Sequence, residues 1–242
     1  MNSGGAGKTM IIEFNGLPGS GKTTVSEALV KRLESKREFA LCWPLKESEL
    51  KRYISYLVDG SVILYLLGAK LFNFVSKQSG EDNKTVFKKE KGRVFNLIKR
   101  YREYKAFYRQ SQSNEVLLID EGVIHGILTL LHGRKLRSTR YLDKLLRFFK
   151  KRGIEFVCVE CASDISLSDH RIAERGYTCS RLDVCDAEER ARILSVQNEN
   201  LKLIRERVAV IMSPRTVYID TKESADDNAA YIDKELGLSG LK

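Results

Sequence analysis

The run Gly16-Leu17-Pro18-Gly19-Ser20-Gly21-Lys22-Thr23 matches G-x-x-x-x-G-K-[ST] in full, the spacing with which a chain wraps a polyphosphate. Glycines at the bends let backbone N–H groups curl around a phosphate without Cβ clashes. A helix opening at Lys22 adds its unpaired N–H groups and the positive end of its dipole. Lys22 is then placed to reach the β- and γ-phosphates of ATP, and the Thr23 hydroxyl to bind Mg²⁺. Gly7-Lys8-Thr9 is a decoy. Asn2 stands where its first glycine belongs, and the triplet precedes an apolar run instead of following one.

A second chemical cluster closes an aliphatic run, Val116-Leu117-Leu118-Ile119-Asp120-Glu121-Gly122. Carboxylates at the carboxyl end of a strand lie where ligands of open α/β sheets bind. One acid there suits a Mg²⁺ ligand, and the other suits a base that takes the proton of an acceptor hydroxyl. We favour Asp120 for the metal and Glu121 for the acceptor, although their spacing alone permits either division. The third cluster is Asp169-His170-Arg171-Ile172-Ala173-Glu174-Arg175-Gly176, followed by Arg181. Arg171 and Arg175, four apart, share one face of a short helix that Gly176 can end. Two guanidiniums aimed at a γ-phosphate supply the positive charge a transferring phosphoryl group needs. On a mobile segment they can also close over the site and exclude water. The same residues also read as a charged, solvated helix.

The elements that must position these groups follow from hydrophobic patterning. Thr9 to Asn15, Phe39 to Cys42, Val116 to Ile119, Ile154 to Val159 and Thr216 to Ile219 read as strands. The unbroken aliphatic run of the third marks it as buried on both faces. Helical spacing marks the stretch after the phosphate loop, Lys51 to Val58, Val62 to Val75, Lys84 to Arg109, a stretch carrying Leu142, Leu145, Leu146 and Phe149, and Ala187 to Val208. A polar, acidic helix closes the chain. Strands alternating with helices predict an α/β fold, a parallel sheet with helices on both faces. We take residues 1–242 as a single domain with a helical insertion at about 46–110.

With these halves in view the chain resembles the P-loop kinases of the nucleoside and nucleotide kinase group, thymidylate-kinase-like in particular. Asn15 to Thr24 is close to that group's opening, and Arg171, Arg175 and Arg181 follow the fourth strand where the family carries its lid, here about 164–182. The similarity runs from Thr9 to about Tyr218. It implies a three-layer P-loop fold with a five-stranded sheet in order 2-3-1-4-5. It also implies nucleotide contacts from Gly16, Pro18, Gly19, Ser20, Gly21, Lys22, Thr23, Thr24 and Arg181, and a nucleoside or nucleoside monophosphate as acceptor. The acceptor motifs depart from the family. Thymidylate kinases typically show Asp-Arg after the third strand and deoxynucleoside kinases Glu-Arg, where this chain has Asp120-Glu121-Gly122. Trp43-Pro44 replaces the usual acid or Arg before Pro. A sugar, an antibiotic or another specialised hydroxyl compound is therefore close behind as acceptor.

Composition sets the outer limits. The chain has 242 residues, and Lys and Arg exceed Asp and Glu by 42 to 32, a formal charge of +10 that favours anionic partners without choosing among them. Between Lys84 and Arg109 ten cations face only Glu90 and Glu103, with Val94, Leu97, Ile98, Tyr101, Tyr104 and Tyr108 at helical spacing among them. This segment reads as an acceptor-pocket wall, a nucleic-acid surface or an amphipathic core helix with a solvated basic back. Arg134 to Arg152 is a second basic cluster, explained by a surface helix. A non-kinase NTPase or NTP-dependent binding module working on nucleic acid is thus the alternative function, possible but not favoured. Cys158, Cys161, Cys179 and Cys185 have the number for a zinc site, but Cys158 and Cys161, three apart on a strand, point to opposite sides. His125, four residues after Glu121, is placed to orient it or simply to pack. The most apolar stretch, Val62 to Val75, is broken by Gly68, Lys70 and Asn73 and falls short of the roughly 20 residues of a membrane span. Reduced cysteines and the lack of an export signal point to the cytoplasm. A homodimer is compatible with the sequence.

Overall fold

The computed structural model describes residues 10–35, 40–42, 61–110, 115–175 and 181–240. The expected helix at Lys51 to Val58, the Trp43-Pro44 step, Gly7-Lys8-Thr9, Gly176 and Cys179 lie outside them. In chain order the elements are β1 (Met10–Asn15), α1 (Lys22–Ser35), β2 (Ala40–Cys42), α2 (Ser61–Ser79), α3 (Asn83–Gln110), β3 (Val116–Ile119), α4 (Val123–Leu131), α5 (Thr139–Lys151), β4 (Val157–Ala162), α6 (Ile165–Ala173), α7 (Ala187–Ile211), β5 (Thr216–Asp220) and α8 (Ala225–Leu236). A 3-10 turn at Arg181–Val184 precedes α7.

The strands form one five-stranded sheet in the order β2-β3-β1-β4-β5, parallel at every pairing. This is the expected order, and it puts β1 at the centre, so the loop leaving β1 opens beside the carboxyl end of β3. Alternation along the strands divides the apolar interior in two. Met10, Ile12 and Phe14 of β1 pack with Val25, Leu29 and Leu33 of α1 and Ile232 of α8 on one face. Ile11 and Leu117 face α2, α3, α4 and α5 on the other, where Leu71, Leu97, Ile127 and Leu146 are buried together. Val116 and Leu118 serve the first core, and Leu117 and Ile119 the second, so β3 is covered on both sides as its aliphatic run requires.

Among the boundaries that differ from expectation, three bear on how the site is built. β4 begins at Val157 and not Ile154, because Ile154 donates its N–H to the Phe149 carbonyl and so finishes α5 before pairing starts. Its side chain is buried all the same, and burial is what apolar pattern reports. The stretch after β3 is two helices, with Ser138 accepting from the Arg140 N–H to start the second. α6 ends at Ala173, so Arg175 follows the helix instead of sharing its face with Arg171.

The basic segment settles as a core helix. In α3, Val86, Val94, Leu97, Tyr101, Tyr104 and Phe107 are buried, and Tyr108 gives its hydroxyl to the Glu155 carbonyl at 2.8 Å. Tyr101 and Tyr104 are held by the interior and Tyr108 partly so; Lys84, Lys88, Lys89, Lys91, Lys99 and Arg109 form the outer face, while Arg93, Arg100, Arg102 and Lys105 are half-buried. Among the described residues no helix is long and apolar enough to cross a membrane.

Candidate active site

The phosphate loop leaves the carboxyl end of β1 and enters α1 at Lys22. Gly19 and Gly21 hold φ of +79° and +87°, values a side chain rarely adopts. At Gly19 a Cβ would also stand 2.5 Å from the Ser168 carbonyl of α6. The loop is therefore shaped by glycine and backed by the same helix that carries Arg171. Lys22 is buried, and its Nζ donates to the Leu17 carbonyl at 2.8 Å and the Gly16 carbonyl at 3.2 Å. Burial holds the ammonium below the ordinary lysine value, against the pull of Glu121 and Asp120.

Thr23, at the start of α1, donates its hydroxyl to Asp120 Oδ2 at 3.0 Å. A hydroxyl and a carboxylate thus stand side by side at the mouth of the loop, the hard oxygen donors that Mg²⁺ prefers. Glu121 diverges from Asp120 and opens onto the cleft, its side chain 59% exposed. His125 Nε2 lies 3.7 Å from Glu121 Oε1. Burial, with Lys22 and Arg100 nearby, pushes His125 down to about 3, so it is a neutral imidazole beside the carboxylate and forms no ion pair at neutral pH.

Beneath this turn lies a group that motif spacing does not reveal. Glu13 of β1 is fully buried. Its carboxylate accepts from the Ile124 N–H at 2.6 Å and from the Tyr104 hydroxyl at 2.7 Å. Gly122 crosses directly above, and a Cβ there would overlap the Glu13 carboxyl. Burial raises Glu13 to about 7 despite these hydrogen bonds. Its sequence signal is a single acid in an otherwise apolar strand; its consequence is to tie β1, α3 and the Asp120-Glu121-Gly122 turn together.

The arginines divide. Arg171 donates to the Thr221 carbonyl at 2.8 Å and stands against the loop at Gly21. Arg175 is within electrostatic reach of Lys22 and 3.6 Å from Asp183. Arg181 is exposed, and the groups it acts on are Arg93 and His132. Pro18, Gly19, Gly21, Lys22, Thr23, Thr24, Glu121 and all three arginines nevertheless line one cleft of about 720 Å³. Asp120 joins it through Thr23. Arg93, Thr129, His132 and Gln197 also line it, with Glu27, His125 and Leu182; Arg93 lies in the 84–109 segment that one reading made an acceptor-pocket wall, and no local pattern marks Thr129, His132 or Gln197.

Cys158 packs in one core and Cys161 in the other, on opposite sides of the sheet as their spacing requires. Burial pushes Cys161 up to about 12 and Cys158 higher still, so both are protonated thiols. Among the described residues no cluster of His, Cys, Asp and Glu has the form of a metal site.

No protein-family model matches the chain, and no curated protein matches it. Its structure is similar to deoxyadenosine kinase from M. mycoides with bound dATP, with 16% identity, a TM-score of 0.54, and coverage of 94% of this chain and 100% of that one. It is also similar to shikimate kinase from Acinetobacter baumannii in complex with shikimate, with 20% identity, a TM-score of 0.44, and coverage of 97% of each chain. The likeness to the deoxyadenosine kinase shows that this chain shares its α/β fold.

Proposed function

We propose that the protein is an ATP- and Mg²⁺-dependent phosphotransferase that moves the γ-phosphoryl group to a small acceptor bound beside Glu121. The observation that carries this reading is the convergence on one cleft of a glycine-shaped loop with a buried lysine, the Thr23–Asp120 pair, and the side chains of Glu121, Arg171 and Arg175. Arginines also serve nucleotide hydrolases; it is the extension of the cleft beyond the loop, past Glu121 to Thr129 and His132, that gives an acceptor room.

In this mechanism the Lys22 ammonium leaves the Gly16 and Leu17 carbonyls for the β- and γ-phosphates. Thr23 and Asp120 would hold a magnesium ion, which would supply positive charge against the polyphosphate. Glu121 accepts the proton of an attacking hydroxyl, with neutral His125 packed behind it. Arg171 and Arg175 stabilise the charge of the transferring group, and α6, closed against the loop, keeps water away. The resemblance suggests a nucleoside or nucleoside monophosphate as acceptor, with a sugar, antibiotic or other hydroxyl compound close behind. The tyrosines of α3 pack inward and withdraw the support they would lend a nucleic-acid module, although Phe87 and Phe95 stay exposed on the same helix.

The test is ADP release across an acceptor library. Acceptor-dependent release is expected, together with its loss in Lys22→Ala at unchanged circular dichroism. Undiminished transfer by Lys22→Ala overturns the site, and calorimetry that detects no magnesium–nucleotide binding at millimolar ligand overturns the function.

A further inference from the structure

The cleft has two ends, and only one belongs to the phosphate loop. α4 is apolar apart from a polar line that faces the cleft: Glu121 just before it, then His125 and Thr129, and His132 at its end. Eleven residues separate Glu121 from His132, about 16 Å along a helix. α3 runs antiparallel to α4 across this wall. Tyr104 reaches Glu13 at the start of α4, Leu97 packs at Gly126 in its middle, and Arg93 lies near His132 at its end.

Arg93 and Arg181 line that far end, and a third guanidinium, Arg134, is tied to Arg93 through a shared carboxylate. Arg93 and Arg134 both pair with Glu90, a carboxylate 3% exposed, the second at 3.0 Å. Arg181 approaches from the turn before α7, close enough to act on Arg93 and His132. Burial and the neighbouring arginines push His132 down to about 4, so it adds no charge of its own. Glu90 thus bridges Arg93 and Arg134, the latter also 3.9 Å from Glu81, while Arg181 lines the same cleft as Arg93. Like charges held together at a cavity wall are stabilised by an anion between them, and the planar fork of arginine suits the two oxygens of a carboxylate or phosphate.

We propose that this far end is an anion site, where Arg93 and Arg181 hold a carboxylate or phosphate group of the acceptor, so that the acceptor is an elongated molecule with its reacting group at Glu121 and its anionic group near His132. The proposal deepens the kinase reading and depends on it only for the identity of the ligand as acceptor. It moves Arg181 from the nucleotide, where family resemblance puts it, to the acceptor.

The test uses inorganic phosphate and citrate as probes, titrated calorimetrically into protein whose loop is first filled with magnesium and a non-hydrolysable ATP analogue. Saturable millimolar binding of one probe is expected, weakened at least tenfold in both Arg93→Gln and Arg181→Gln. The tighter probe identifies the anionic group. Lys91→Gln, which removes the same charge from the exposed face of α3, leaves binding unchanged if the site is local. Arg181 is exposed, so its variant keeps the test valid even where loss of Arg93 disturbs Glu90. No saturable binding of either probe, or affinities unaltered by both arginine substitutions, overturns the proposal. Failure of the nucleotide to bind in the first step is a separate result that strikes the kinase reading; phosphate binding that depends on Arg93 and Arg181 but not on Lys22 would still uphold the anion site.

Discussion

Arg175 lies past the end of α6, beside Lys22 and near Asp183. A guanidinium in that position gains most from charge that builds on the γ-phosphoryl group during transfer. Arg175→Ala is therefore expected to lower turnover by about 10²-fold while changing ATP affinity much less. Steady-state kinetics with direct nucleotide titration checks this, and equal losses in both would make Arg175 a ground-state binder. Glu13 allows a test by pH. Its folded carboxyl is raised from 4.5 to about 7, so between these values the folded chain holds a proton that the unfolded chain has released. Stability contributed by this site is accordingly lost as pH rises from about 4.5 to about 7. In Glu13→Gln the amide oxygen still accepts from Ile124 and the amide nitrogen can meet Tyr104, but nothing titrates. Urea midpoints should therefore fall less, or rise more, between pH 4.5 and about 7 in the variant than in the wild type, since His125 and His132, pushed down by burial, raise stability with pH in both alike. Glu103, also raised to about 7 by burial, keeps part of the slope. Identical slopes would mean that Glu13 does not titrate there.

Helix contacts set the distance between the two ends of the cleft. Leu97 is buried where α3 crosses α4, and a Cβ on Gly126 would come within 2.7 Å of its Cδ1. Leu97→Ala should open a cavity at this crossing and reduce stability by about 2–5 kcal/mol. Denaturant unfolding reads this directly, and a loss below about 1 kcal/mol would mean that the helices close over the gap. Contacts of this kind also separate what sequence reveals from what it hides. The loop from Gly16 to Thr23 is contiguous, and its chemistry and φ requirements are local, so its residue types declare it. β3 declares itself by an aliphatic run buried on both faces. Ile154 misleads, because burial under a helix turn and burial in a strand look alike in pattern. The periodic tyrosines of α3 fit core, pocket and nucleic acid equally until packing chooses the core. Arg93, His132 and Gln197 share a wall only because α3, α4 and α7 meet there, and a one-dimensional pattern does not carry that meeting. Glu13 left a visible trace, one acid among Met10, Ile11, Ile12 and Phe14, whose meaning depends on α4 starting directly above it.

At the scale of the whole molecule, the site joins the two cores. The loop binds β1 to α1 on one face of the sheet, while His125 and Arg93 belong to helices of the other and Glu121 to the turn before α4, and α6 closes against the loop from beside β4. A nucleotide that engages Lys22, Thr23, Asp120 and Arg171 together binds only the folded chain, so its binding energy adds to the folding energy of the whole. At a ligand concentration about 100 times the dissociation constant this amounts to about 2.7 kcal/mol, and for a chain of 242 residues it should raise the melting temperature by roughly 5–10 °C. Differential scanning fluorimetry with magnesium and a non-hydrolysable ATP analogue measures the shift. Chelating the magnesium should shrink it, since the polyphosphate then meets Asp120 and Glu121 without a cation between them. Lys22→Ala should abolish it while leaving the melting temperature of the free protein near that of the wild type. A shift that persists in Lys22→Ala would place the nucleotide away from the loop, and would break the link between the two faces of the sheet on which the mechanism depends.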